Sequence, residues 1–241
     1  NNLIVGKANK YLIPFTEKIF VSFKELEGIP QKYTKKIIEI GNIINKEIIF
    51  HQKEKFQNDD KKLKILILGG SQAAKIFAET LPKIFRDCVN QGVLLKVYQH
   101  CLPSQNNKLM MFYKETQIDF EIFNFSYKLV DYFSKVDLAI TRSGSSMLAE
   151  LTNAKVPFIS VPLPTSADNH QYKNAIYSHK KNLSLIIEEK DLNDKLPKII
   201  GEISDDSNIL KDIKRNQSQY SDKNVYENID QELIKIINEK N

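Results

Sequence analysis

The chain has 241 residues, 41% of them hydrophobic and 27% charged, so it can bury one full core and part of a second, which excludes a wholly disordered chain. Its formal net charge of +5 favours phosphate-bearing or anionic partners only weakly, and two cysteines, Cys88 and Cys101, are too few and too far apart for a zinc site or a disulfide framework, as in a reducing cytoplasm. No apolar run approaches the roughly 20 residues of a membrane span, and no charged start with an apolar core marks a signal peptide, so membrane contact is expected to be peripheral.

The first residue is Asn1 rather than Met, and the sequence is read as a fragment. Residues 5–12 have helical spacing, 18–21 and 37–40 read as strands, and Gly41-Asn42 ends the second. Residues 51–62, rich in Lys, Gln, Asn and Asp, read as a linker. Short apolar runs then alternate with helical patterns. Strands are expected at 64–68, 94–98, 120–123, 138–140, 158–161 and 184–187. Helices are expected at 74–85, 127–133, 146–152, 169–178 and 192–203. Strands this short and apolar on both faces imply a six-stranded parallel sheet, doubly wound, with ligands beyond the carboxyl ends of the strands. Val225, Ile229, Leu233, Ile236 and Ile237 form an apolar stripe on a final helix.

Three loops at strand ends carry polar chemistry. Gly69-Gly70-Ser71-Gln72 follows a strand and opens a helix, so its amides can approach a phosphate, although a plain tight turn would read the same way. Arg142-Ser143-Gly144-Ser145-Ser146 repeats the design: Gly144 permits unusual backbone angles and Ser145 or Ser146 can cap the next helix. Glu150 lies one turn beyond Ser146 on the same face, where a carboxylate can accept from both ribose hydroxyls. In the third loop, prolines 162 and 164 impose extension, Asp168 or Asn169 can cap, and His170, Gln171 and Asn174 offer partners for sugar hydroxyls. Asp59-Asp60 and Asp205-Asp206 are hydrophilic turns with no metal-binding cluster around them.

Gly-Gly-Ser-Gln at 69–72, Arg-Ser-Gly at 142–144 with Glu150, Val-Pro-Leu-Pro at 161–164 and His-Gln-x-x-Asn-Ala at 170–175 together resemble the MurG family, bacterial N-acetylglucosaminyltransferases of peptidoglycan synthesis. The resemblance runs over essentially the whole chain, and Gly6-Lys7-Ala8-Asn9 and Gly41-Asn42 resemble the end of the family's amino-terminal domain. It implies a glycosyltransferase of the B type, with facing Rossmann-like domains. Residues 1–50 would be a remnant of the amino-terminal acceptor and membrane domain, and 51–62 the linker. Residues 63–223 would form the UDP-sugar domain, and 224–241 a helix packing back toward the amino-terminal side.

The implied donor is UDP-N-acetylglucosamine and the acceptor is lipid I, whose muramoyl 4-hydroxyl receives the sugar with inversion to give lipid II. By the resemblance, Ser71 meets the diphosphate, Gln72 is a further substrate-binding residue, the backbone at Ser126 recognises uracil, and Ser145, Ser146, Met147 and Leu148 line diphosphate and nucleoside. Glu150 would hold the ribose, His170 and Gln171 would reach the sugar, and Asn1 would sit near the interdomain cleft. No metal, cofactor or nucleic acid is implied. The implied location is peripheral, on the cytoplasmic face of the bacterial plasma membrane, with contact mainly through the absent domain. The family's catalytic base lies in a Gly-rich amino-terminal loop whose His is absent here, so the chain is expected to hold the donor without the base.

Two positions depart from the family. Asn45 stands where an Arg usually follows Gly-Asn, leaving Lys46 as a poorer phosphate partner, and Ala73 replaces a Gly of the phosphate turn. Two other readings share the architecture: a non-catalytic nucleotide-sugar subunit of a split transferase, and a UDP-sugar transferase acting on another lipid or natural product.

Overall fold

A computed structural model describes residues 3–50, 61–70, 73–116, 118–124 and 129–239. The amino-terminal unit contains helix α1 (Lys7–Leu12), strands β1 (Ile19–Val21) and β2 (Ile37–Glu39), and helix α2 (Lys46–Phe50). β1 and β2 pair in parallel, with Ile19 opposite Ile37. Asn45 caps α2: its side-chain oxygen accepts the Glu47 amide at 3.0 Å. The residue that departs from the family's Arg therefore has a local structural task.

The larger unit follows as β3 (Leu63–Leu68), α3 (Ala73–Asn90), β4 (Leu95–His100), α4 (Asn106–Glu115), β5 (Asp119–Phe123) and α5 (Leu129–Lys135). It continues with β6 (Leu138–Thr141), α6 (Ser145–Asn153), β7 (Phe158–Ser160), α7 (His170–Lys180), β8 (Leu185–Ile186), α8 (Leu192–Asp205), α9 (Asn208–Gln217) and α10 (Val225–Asn238). All six strands from β3 to β8 run parallel, in the order β5-β4-β3-β6-β7-β8. This is the doubly wound order of a Rossmann-like sheet, and it bears out the expected six-stranded parallel architecture.

Two cores follow from the period-two alternation of β3. Ile65 and Ile67 face one side, where they join Phe77, Leu81 and Phe85 of α3 and Leu196 of α8. Leu66 and Leu68 face the other, with Phe133, Leu148, Leu151 and Ile48. Each fully buried aromatic or aliphatic side chain in these layers contributes about 1.5–3 kcal/mol.

The helices differ from expectation in three places. α2, α4 and α9 lie outside the expected helices: α2 has only five residues, α4 buries Leu109 and Tyr113, and α9 buries Ile213 and the polar Gln217. α4 and α9 are both short: α9 packs Ile209 and Leu210 beside Ile213 against the first core, and α4 adds Phe112 to Leu109 and Tyr113. The expected linker falls at 51–60, outside the described residues, except for Lys61 and Lys62 immediately before β3.

α10 returns to the amino-terminal segment. The Tyr226 hydroxyl donates to Ile44 O at 2.9 Å, Asn228 Nδ2 donates to Ile40 O at 3.3 Å, and Lys46 Nζ stands 4.7 Å from the centre of the Tyr226 ring. Val225 is fully buried, whereas Leu233, Ile234 and Ile237, further along the helix, are exposed. Among the described residues no helix is long and apolar enough to cross a membrane.

Candidate functional site at the switch point of the sheet

β3 and β6 lie side by side at the point where the strand order reverses, with Leu68 opposite Thr141. Gly69-Gly70 and Arg142-Ser143-Gly144 therefore leave adjacent strands at the same edge, where such sheets open a crevice for ligands. The Thr141 hydroxyl donates to Leu68 O at 3.2 Å and ties the two strand ends together. Nδ1 of His100, at the end of β4, lies 3.0 Å from Gly69 O, and with that nitrogen protonated it braces the first turn.

The second turn differs from the expectation. Gly144 has φ −66° and ψ 130°, angles open to any residue, and it is itself the N-cap of α6, with no side-chain hydrogen bond from Ser145 or Ser146. What glycine provides here is space: a Cβ at Gly144 would meet nothing within 4 Å, and the same holds at Gly70. The space beside Gly144 is thus open and the start of α6 has no side-chain cap, and uncapped helix starts are where anions bind.

Three side chains fix this turn against the loop after β7. Arg142 is 8% exposed, and its Nη1 donates to Val161 O at 3.2 Å and Pro162 O at 3.3 Å. Its Nη2 pairs with Glu189, and the guanidinium stacks 4.9 Å from the centre of the Phe77 ring. The Gln171 side-chain oxygen accepts from Ser143 N at 3.2 Å and from Leu163 N at 3.0 Å, so one amide pins both loops. Asn174 is buried, donates to Ser143 O at 3.1 Å and accepts from Leu3 N at 3.4 Å. The expectation that Asn174 offers itself to a sugar is thus corrected: its groups are spent on backbone.

α7 begins after two consecutive left-handed residues, Asp168 (φ 50°) and Asn169 (φ 56°), which short polar side chains tolerate best. Asn169 occupies the N-cap position without a side-chain cap bond, contrary to the capping expected of it or of Asp168. His170 is partly buried, with Nδ1 2.8 Å from Ala167 O, which leaves Nε2 as the ring nitrogen without a bond among the described residues.

Glu150 is half-buried on α6 and makes no side-chain hydrogen bond or ion pair among the described residues. Burial pushes its carboxyl above the usual carboxylate range. A partly desolvated carboxylate without donors is costly unless a ligand supplies them, and a vicinal diol supplies two.

The other expected residues separate. Ser146 is exposed on α6, Ser145 is partly buried, Met147 packs against the second core, and Leu148 is buried within it. Asn1, Ser71, Gln72 and Ser126 lie outside the described residues. Sequence reasoning did not assign Arg142 and His100 as braces, since their partners lie 19–47 and 31 positions away, respectively. Among the described residues no group of three or more His, Cys, Asp or Glu side chains gathers as a metal site.

Comparison with known proteins accords with this geometry. Residues 64–231, more than half of the chain, match the glycosyltransferase family 28 C-terminal domain. The chain belongs to this family. A Pelagibacter ubique UDP-N-acetylglucosamine--N-acetylmuramyl-(pentapeptide) pyrophosphoryl-undecaprenol N-acetylglucosamine transferase is 32% identical over 240 residues, which are 99% of this chain and 66% of that protein. Acinetobacter baumannii MurG superposes with a TM-score of 0.73 at 21% identity, covering 95% of this chain and 64% of that one. Staphylococcus aureus MnaA, solved with UDP, superposes with a TM-score of 0.67 at 14% identity, covering 94% and 62%. The two structures share the fold. The family 28 chain described here spans a little under two thirds of the length of each of these proteins.

Proposed function

We propose that this chain binds UDP-N-acetylglucosamine as the donor half of an inverting N-acetylglucosaminyltransferase that converts lipid I to lipid II in peptidoglycan synthesis. The observation that carries the reading is Glu150, a half-buried carboxylate without donors among the described residues, on the helix that starts from an open glycine turn at the switch point. The name of the Pelagibacter relative, an N-acetylglucosamine transferase acting on an undecaprenol-linked muramyl acceptor, supports the choice of sugar and acceptor.

In this reading the diphosphate lies across the starts of α3 and α6, with Ser71 and Gln72 on one side and Ser145 and Ser146 on the other. Glu150 accepts from the ribose hydroxyls, and the Ser126 backbone reads uracil. His170 Nε2 and the Gln171 side-chain nitrogen face the sugar. Transfer forms a bond from the acceptor 4-hydroxyl oxygen to the anomeric carbon, breaks the bond from that carbon to the β-phosphate, and inverts the anomeric centre. The hydroxyl proton passes to a base outside the residues assigned here. Charge accumulates on the leaving UDP, where helix-start amides aimed at the phosphates stabilise it.

Residues 63–223 form the donor domain and 1–50 part of an acceptor-facing, membrane-side domain; 51–62 link them, and 224–241 lean back on the amino-terminal side. The contacts from Tyr226 and Asn228 to residues 40–44 support that last assignment. The protein acts peripherally at the cytoplasmic face of the bacterial membrane. Isothermal titration tests the donor: UDP-N-acetylglucosamine binds and GDP-N-acetylglucosamine binds at least tenfold more weakly, whereas equal affinities would refute the assignment.

A further inference from the structure

The amino-terminal unit meets the larger unit near Gly41-Asn42, where residues 220–225 pass beside it, and the two segments meet at one carboxylate. Asp222 Oδ1 accepts the Asn42 backbone N–H at 2.8 Å. Its Oδ2 accepts the Asn42 side-chain N–H at 3.2 Å and the Asn153 side-chain N–H at 2.7 Å, and Asn153 returns the bond by accepting Asp222 N–H at 2.9 Å. Asn153 is the last residue of α6 and is further held by Ala149 O at 2.9 Å. One side chain therefore joins the strand-to-helix segment after β2, the carboxyl end of α6 and the entry to α10.

The backbone is shaped to admit that carboxylate. Gly41 has φ +95°, and a Cβ there would stand 2.6 Å from Asp222 Oδ1. The close approach requires a residue without a side chain, and the positive φ favours the same residue.

The surroundings make this contact matter. A cavity of about 410 Å³ occupies the seam, lined by Phe23, Glu39, Leu148, Tyr177, Asn42 and Asp222 among others. Ile44 and Ile48 pack into the second core, but beside this cavity the seam is not filled by side chains, so directional bonds there bear on its geometry. The two units also touch through the Leu3–Asn174 hydrogen bond at 3.4 Å, an exposed Lys173–Glu27 ion pair and the Phe23–Tyr177 ring contact at 4.8 Å. Exposed pairs of this kind contribute little to fixing an arrangement. Charge-assisted bonds to a partly buried carboxylate contribute more and are directional.

We infer that Asp222 is a positioning residue that fixes the amino-terminal unit against helix α6, the helix that carries the open turn and Glu150. Its consequence for sugar transfer rests on the donor reading above; the latch itself does not. Loss of the latch leaves the donor cradle intact, since Arg142, Gln171 and Asn174 brace it independently. What changes is the angle at which the amino-terminal unit meets it.

The test uses the 241-residue chain with spin labels at Lys35→Cys and Lys198→Cys, both exposed and one in each unit, while Cys88 and Cys101 are buried. Pulsed dipolar spectroscopy of the otherwise wild-type protein gives one narrow distance distribution. Asp222→Asn keeps the size of the side chain but turns an NH₂ toward other N–H donors. It at least doubles the width or adds a second population, with helix content unchanged. Asn153→Ala, which removes one arm of the latch, gives an intermediate width and serves if the Asp222 variant is poorly folded. Unchanged distributions in both variants would overturn the inference. Titration with UDP-N-acetylglucosamine separates the two ideas. Binding to wild type and Asp222→Asn within about twofold places the effect in the seam, and a tenfold loss in the variant would show that Asp222 acts on the cradle instead. No binding to either refutes the donor reading, while the distance comparison still decides the latch.

Discussion

The two units solve the burial problem differently. The larger one closes a six-stranded parallel sheet between helices, and fully buried side chains such as Phe77, Phe85, Phe133 and Leu196 fill both faces. The amino-terminal unit has two three-residue strands and leaves Tyr11 and Phe15 80% and 88% exposed. A two-stranded ribbon of that size has no independent stability and leans on its neighbour. The contrast teaches where precision is available: preorganised chemistry belongs on the closed unit, and the open one supplies surface and orientation.

Truncating one aromatic in each unit should separate them most sharply. Phe77→Ala removes a buried ring and the platform under Arg142, with an expected loss of about 3–5 kcal/mol in urea unfolding. Phe15→Ala should fall within about 0.5 kcal/mol of wild type. Similar losses from both would mean that the amino-terminal unit is packed far more tightly than its exposure allows.

Arg142→Lys comes next. The charge survives, but an ammonium cannot replace two carbonyl bonds, the Glu189 pair and the stacking on Phe77 at once. A stability loss of about 2 kcal/mol is expected, together with weaker donor binding as the 161–171 loop loosens. Calorimetric titration and thermal unfolding on the same samples read both effects.

Glu150→Gln should move two quantities in opposite directions. Its carboxyl is raised by burial in the folded chain, so between its unfolded and folded pKa the native state holds more protons and stability falls as pH rises. Above that window the ionised carboxylate remains a cost that Gln removes, so the variant should melt roughly 1–3 °C higher at neutral pH. Donor affinity should fall by about 1–2 kcal/mol, because a carboxylate accepts more strongly than an amide. For wild type, affinity should rise with pH through the raised pKa and then level, whereas Glu150→Gln should show no such dependence. The smallest effect is expected from Lys173→Ala, about 0.5 kcal/mol or less, since its Glu27 pair is exposed.

The sheet could be read in the sequence because runs such as 64–68 and 138–140 are apolar on both faces, and the glycine and proline punctuation between them is local. The braces could not, because local pattern does not reveal that the Gln171 oxygen serves Ser143, 28 residues away, or that Asp222 meets Asn42 across 180 residues. Gly144 shows a subtler gap. Its residue type was read as a need for unusual angles, but the backbone there is ordinary, and the missing side chain is what leaves the turn open. Asn45 was read as the loss of a phosphate partner, and its cap on α2 shows what it does locally. Leu148 was read as lining the nucleoside, while the face of α6 on which it lies is packed into the core.

Hydrogen–deuterium exchange with and without saturating UDP-N-acetylglucosamine tests the division of labour most directly. The account predicts slowed exchange in peptides spanning 142–150 and 162–171 and no change across 7–36. Protection confined to the amino-terminal unit, or absent from both turn segments at saturation, would contradict it.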